Sequence, residues 1–216
     1  MRIWLAVALT LAVFAAGCAQ PQAQPAFGPP PRDELLRPLF SNFDVLEGVR
    51  INENAWLKTY PVRAEGGLNS IRRQLDRLGP ISDLTGQRFD ALTTWGLRWS
   101  FTYDDTSGGC TVRNATIEVE AVVTMPELQG AEVLEPDDFN LWQGYHDKLS
   151  AHEDGHVNIY LAAARDLRDQ VRQTGPMQDC RSLATVLDQK GDAMIETIRN
   201  NDRLYDAATG HGAAFP

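Results

Sequence analysis

The stretch that most limits what this chain can fold into runs from Trp142 to Leu167. Trp142, Tyr145, Leu149, His152, His156, Ile159, Ala163 and Leu167 follow one another at intervals of three or four residues. That period belongs to a long helix with one buried face. Pro136-Asp137-Asp138 reads as its start, with acidic residues favoured there by the helix dipole, and Thr174-Gly175-Pro176 as its stop. The helix is therefore expected from about Asp138 to Gln173. Two histidines hold core-facing positions where Leu would be ordinary, and the segment they bound is His152-Glu153-Asp154-Gly155-His156.

Side chains four apart project from the same face of a helix. Two imidazoles so placed can bind one Zn²⁺, and a Glu next to the first His can reach a water on the metal. The bland alternative is a pair of hydrogen-bonded core histidines. A Glu between two such histidines on one stripe favours the metal. Zinc is the default ion for these donors, although residue type alone also admits Mn²⁺ or Ni²⁺.

A catalytic zinc needs three protein ligands and an open position. The chain has four histidines. His146 is six residues before His152 and leaves the shared face. Asp166 shares the face but lies about 15 Å from His156 along a straight helix, out of reach. The third ligand must come from another part of the chain. Leu183, Leu187, Met194 and Ile198 mark a second helix ending near Tyr205. If the two helices form an antiparallel hairpin, Glu196 stands at the level of the motif, with its phase opposite to Met194 and Ile198. The tail beyond, Tyr205 to Gly212, can fold back. His211, between glycines, is the favoured third ligand, with Asp206 and Glu196 as alternatives. Tyr205 is a candidate oxyanion donor, or a core Tyr at a helix end.

The N-terminus reads as a targeting segment. Arg2 precedes an apolar run from Ile3 to Ala16, too short for a comfortable membrane span. Ala15-Ala16-Gly17-Cys18 resembles a bacterial lipobox, in which the peptide is cut before the Cys and the thiol is acylated. Residues 1–18 are thus expected to be a lipoprotein signal with Cys18 lipidated, and acyl chains there would anchor the protein to the bilayer. An ordinary secretory signal is the alternative. Ala19 and Gln20 are not the Asp that often retains lipoproteins at the inner membrane. The expected location is therefore the outer membrane of a bacterial envelope, facing the periplasm. Residues 19–33 are Pro-rich and nearly uncharged, which makes a tether, and residues 34–216 form the domain. With Cys18 set aside, Cys110 and Cys180 remain, and in an exported protein they are most simply one disulfide. Two reduced buried thiols are the alternative. A net charge of −9 argues against nucleic acid as a partner.

Residues 34–50 are ambiguous, with a short helix ending near Gly48 as one reading. Trp56, Lys58, Tyr60 and Val62 suggest a strand, and Leu68 to Leu78 a helix stopped by Gly79-Pro80. Trp95 to Tyr103 and Ile117 to Val123 alternate as two strands of a hairpin around Asp104 to Gly109, with Met125-Pro126 ending the second. The expected class is α+β, a small antiparallel sheet packed on the motif helix and a second antiparallel helix, like a minimal zincin.

The chain is similar to a bacterial family of domains of unknown function, described as predicted secreted zinc-dependent proteases. The likeness runs from about residue 53 to the C-terminus. It rests on Tyr60-Pro61-Val62, Gly79-Pro80, Thr94-Trp95-Gly96-Leu97-Arg98-Trp99, Gly109-Cys110-Thr111-Val112, Met125-Pro126, Trp142, His152 to His156, Cys180 and Tyr205-Asp206-x-x-Thr209-x-His211-Gly212. The resemblance implies the Cys110–Cys180 disulfide, a metal site at His152, Glu153 and His156, and a role for His211. The expected activity is that of an envelope zinc metallopeptidase acting on peptide or protein. His152, His156 and His211 would bind Zn²⁺, with Glu153 as general base and Tyr205 assisting. A non-catalytic lipoprotein with a structural zinc and a peptidoglycan amide hydrolase are the rivals.

Overall fold

The computed structural model describes residues 36–212 and 215–216. The expected signal segment, Cys18 and the tether at 19–33 lie outside the described residues. The elements are β1 (Arg37–Leu46), β2 (Val49–Arg63), α1 (Gly67–Leu78), β3 (Leu92–Thr106), β4 (Gly109–Gln129), α2 (Pro136–Arg172) and α3 (Cys180–Thr209), with a single 3-10 turn before α2. The fold is α+β, with helices packed against one four-stranded sheet in the order β1-β2-β4-β3.

Two pairings are antiparallel, β1 with β2 and β3 with β4. The central one, β2 with β4, is parallel and runs without a register shift from Val49 opposite Ala115 to Arg63 opposite Gln129. The sheet is thus mixed rather than wholly antiparallel. Parallel neighbours need a crossover. Here α1 and β3 together make it, a connection with no local sequence signature.

Two strand assignments differ from the sequence reading. The ambiguous segment before Gly48 is strand β1, not a helix. Its residues are nearly all exposed, so burial left no alternating pattern to read. Strand β4 also continues through Pro126, which pairs opposite Tyr60 of β2. The last β3–β4 pair is Leu92 with Thr124, so Pro126 lies beyond the end of β3 and costs no bond to that strand.

The core lies between one sheet face and the helices. Ile51 and Ala55 of β2, Leu97, Trp99 and Phe101 of β3, and Ile117, Val119 and Ala121 of β4 point into it. Opposite them stand Leu149, Tyr160, Ala164 and Leu167 of α2 with Leu183, Leu187 and Ile198 of α3. Trp99 fills the space beside Gly191, where any Cβ would collide with the indole. The C-terminal half of α2 is tied to the β1–β2 hairpin by Arg165–Glu53, Arg168–Asp44 and Arg172–Glu47. A disulfide joins Cys110 at the start of β4 to Cys180 at the start of α3. Beside it, Met177 and Cys110 exchange backbone hydrogen bonds of 2.8 and 3.0 Å. Among the described residues, no helix is long and apolar enough to cross a membrane.

Candidate metal centre

The i, i+4 histidine pair of α2 faces an i, i+4 aspartate pair of α3, Asp202 and Asp206. His152 Nε2 and His156 Nε2 are 3.2 Å apart. Asp206 Oδ1 lies 3.2 Å from the first and 3.1 Å from the second. Three donor atoms therefore form a nearly equilateral triangle. A tetrahedral zinc with bonds of about 2.0–2.1 Å has ligand-to-ligand edges of about 3.3 Å. The triangle matches one face of such a tetrahedron, and its chemistry, two imidazoles and a carboxylate, suits zinc. His152 and His156 are buried and Asp206 half-buried.

The expected third ligand, His211, is not part of this triangle. It stands at the rim with its side chain 57 % exposed, and its Nδ1 is 3.3 Å from the same Asp206 Oδ1. Its backbone N–H donates to Asp206 O, and it sits in the left-handed region at φ 58°, between Gly210 and Gly212. This reversal folds the chain back over the end of α3. Gly212 then runs so close to His152 that a Cβ would lie 3.2 Å from the imidazole. Glu196, the other alternative, is exposed and pairs with Arg199.

Asp206 reaches the site because the helical hairpin is offset. An even hairpin would set residue 196 beside His156, whereas Asp202 is its partner, six residues or about 9 Å further along. The connection at 173–179 does not turn tightly, because Met177 is stitched to Cys110.

The outer nitrogens of both imidazoles have partners as well. His156 Nδ1 is 2.9 Å from Asp202 Oδ1, and Tyr160 Oη donates to Asp202 Oδ2 at 3.1 Å. His152 Nδ1 is 3.0 Å from Thr209 Oγ1, and that hydroxyl donates to Tyr205 O at 2.7 Å. Sequence reasoning missed Asp202. Its four-residue offset from Asp206, matching that of the histidines, was the available signal. Tyr205 packs its ring flat on His152 at 5.0 Å and edge-on to His156 at 5.0 Å. Its hydroxyl lies over Gly155, where any Cβ would collide with it.

Glu153 is buried and accepts a 2.6 Å hydrogen bond from Thr93 at the start of β3. Burial pushes its pKa up to about 7, against the opposing hydrogen bond from Thr93. His156 goes the other way from most buried histidines. Burial disfavours its charge, but hydrogen bonds to Asp202 and Asp206 outweigh this and raise it to about 9. Burial and the neighbouring His156 lower His152. Asp206 is lowered, since the His156 hydrogen bond and the surrounding imidazoles outweigh its burial.

No curated protein and no solved structure matches the chain. Residues 57–212, which include every group of this centre, match the bacterial proteins of unknown function grouped as DUF922, and the chain belongs to that family.

Proposed function

We propose that this protein is an exported, membrane-anchored, zinc-dependent peptidase. The observation that carries the reading is the triangle of His152 Nε2, His156 Nε2 and Asp206 Oδ1, beside a buried glutamate of raised pKa. Zinc held by these three residues would supply a Lewis acid for an amide carbonyl and for water. Glu153 is the base. It takes a proton from the water that attacks the carbonyl carbon, then gives it to the amine nitrogen as the C–N bond breaks. Burial raises the proton affinity of this carboxyl, which suits a group that takes a proton and returns it. Thr93 holds the carboxylate of Glu153 by a hydrogen bond to one of its oxygens. Tyr205 holds the imidazoles in place by packing against both.

The Cys110–Cys180 disulfide supports export, because such bonds persist in oxidising compartments. The lipid anchor at Cys18 and a periplasm-facing outer-membrane location belong to the same proposal, as does a peptide or protein substrate of the envelope.

One observation favours a second reading. His211 is near enough to Asp206 to swing toward the site and close it with a fourth protein ligand, which would make any zinc structural. Metal analysis and peptide hydrolysis separate the two. One zinc per chain, lost in Asp206→Ala and kept in His211→Ala, with casein or a peptide library cleaved, is the expected result. Zinc lost in both variants, without cleavage, would support the structural site. No zinc in the wild type would remove both readings.

A further inference from the structure

Helix α3 presents Asp202, Asp206 and Thr209 along one face, and only the middle one belongs to the donor triangle. The outer two touch the imidazole nitrogens that point away from it. We propose that Asp202 and Thr209 are positioning residues that hold both imidazoles as Nδ1–H tautomers, and that they do so unequally, making His156 the anchoring ligand and His152 the weaker one. This rests on the metal-centre reading above.

The direction of each bond follows from what the partner can do. The Asp202 carboxylate can only accept, so His156 Nδ1 must donate. The Thr209 proton is already given to Tyr205 O, so its oxygen accepts and His152 Nδ1 donates. With both outer nitrogens donating, the neutral imidazoles turn their Nε2 lone pairs inward, at each other and at Asp206 Oδ1. A cation among the three donors relieves that crowding of lone pairs for both imidazoles.

The inequality comes from charge and from support. A bond from imidazole to carboxylate is charge-assisted, whereas the bond to a hydroxyl is not. Asp202 is also held from behind by Tyr160, which is 1 % exposed and cannot turn away. Thr209 is the last residue of α3, exposed and next to the reversal at Gly210. Partners of this kind raise ligand basicity and fix ring orientation, and losing one costs about 10–100-fold in metal affinity.

The test is zinc affinity by chelator competition for wild type, Asp202→Ala, Asp202→Asn and Thr209→Val, with long-range ¹H–¹⁵N spectra of the imidazoles. Thermal unfolding of the metal-free proteins shows which variants fold, and Asp202→Asn, nearly the same shape, stands in if Asp202→Ala does not. Asp202→Ala should weaken zinc binding about 10–100-fold. Asp202→Asn, which keeps an acceptor but not the charge, should fall between it and wild type. Thr209→Val should lose less than Asp202→Ala. The spectra should show Nδ1–H on both histidines of the wild type. Unchanged affinity in both Asp202 variants, or His156 protonated at Nε2 in place of Nδ1, would overturn the proposal. If wild type binds no zinc, the metal reading fails by itself. The tautomers of the metal-free protein then decide the positioning roles.

Discussion

At the residue scale, Glu153 carries the sharpest consequences. Glu153→Gln keeps the size and the Thr93 contact but cannot take a proton, so zinc content should stay at wild-type level while peptide hydrolysis falls by at least about 100-fold. Retained hydrolysis would remove Glu153 as the base. Thr93→Val deletes the side-chain bond that opposes burial, so the pKa of Glu153 should rise and the acid limb of the rate–pH profile should move up with it. A limb that stays put would assign it to another group. Glu153 and His156 also make the metal-free protein pH-sensitive. Both pKa values are raised in the folded state, to about 7 and about 9, so the native chain binds more protons than the unfolded one between them and their ordinary values. The contribution of His156 is fully present below its unfolded value and lost as pH rises through about 9. For Glu153, stability is lost as pH rises from its ordinary value through about 7. Urea unfolding of chelator-treated protein should therefore show lower stability at pH 9 than at pH 6, by on the order of 2–3 kcal/mol. Zinc should reverse the loss, and a flat profile would contradict the paired environment of His156. His152, Glu153 and His156 were legible because one helical turn spells out their geometry. Thr93 and Asp202 were not, because each acts through a contact between elements whose registration the sequence does not encode locally.

At the scale of elements, the site depends on how closely α3 lies against α2. One glycine permits that approach, Gly155 of α2 beneath Tyr205, and a second, Gly191 of α3, lets the helix approach Trp99 of β3. A methyl at either must displace an aromatic ring, which costs about 1–3 kcal/mol in a packed interior. The consequences should differ. Gly191→Ala pushes on an indole whose N–H is held by Asp188, and it should lower the unfolding midpoint while leaving zinc affinity alone. Gly155→Ala pushes on the ring that lies flat on His152 and edge-on to His156, and it should lower both. Equal zinc affinity in the two variants would show that Tyr205 does not hold the histidines. The helix α2 itself was readable nearly to the residue, because its apolar stripe, proline start and glycine-proline stop are local. The length of α3 was not. Its apolar stripe fades after Ile198, while Asp202, Tyr205 and Asp206 keep the phase with polar groups that a hydrophobic pattern does not count. A hydrophobic pattern alone therefore leaves the tail free to fold back from Tyr205 and points to His211 before Asp206, whereas the helix continues four residues further and carries Asp206 on a rigid element.

At the scale of the whole molecule, the helical hairpin is held to the sheet far from the centre it carries. Arg165, Arg168 and Arg172 clamp α2 beyond His156, and the disulfide clamps the first residue of α3. The sheet supplies the other anchor, since Asp90, just before β3, accepts from Arg72 of α1 and from Tyr145 of α2 at 2.5 Å. The disulfide pairing was expected from the count of cysteines, but that it joins the start of β4 to the start of α3 has no local signal in the sequence. Cys180 and Asp206 are separated by 26 residues of one helix, about 39 Å. Over that distance the bond acts on stability through the unfolded chain rather than on donor geometry. Closing a loop of 70 residues restricts the unfolded ensemble by about 4 kcal/mol. Cys110→Ala with Cys180→Ala, chosen over reduction so that no free thiol competes for metal, should therefore lose stability on that order in denaturant unfolding. Its zinc affinity should stay within about threefold of wild type, because zinc adds the same stabilisation to any native site it fits equally well. A large fall in affinity would mean that the offset between α2 and α3 is set by the bond at one end. The packing of Tyr205, Tyr160 and Ile198 would then be too weak to keep the helices in register once the far end is released.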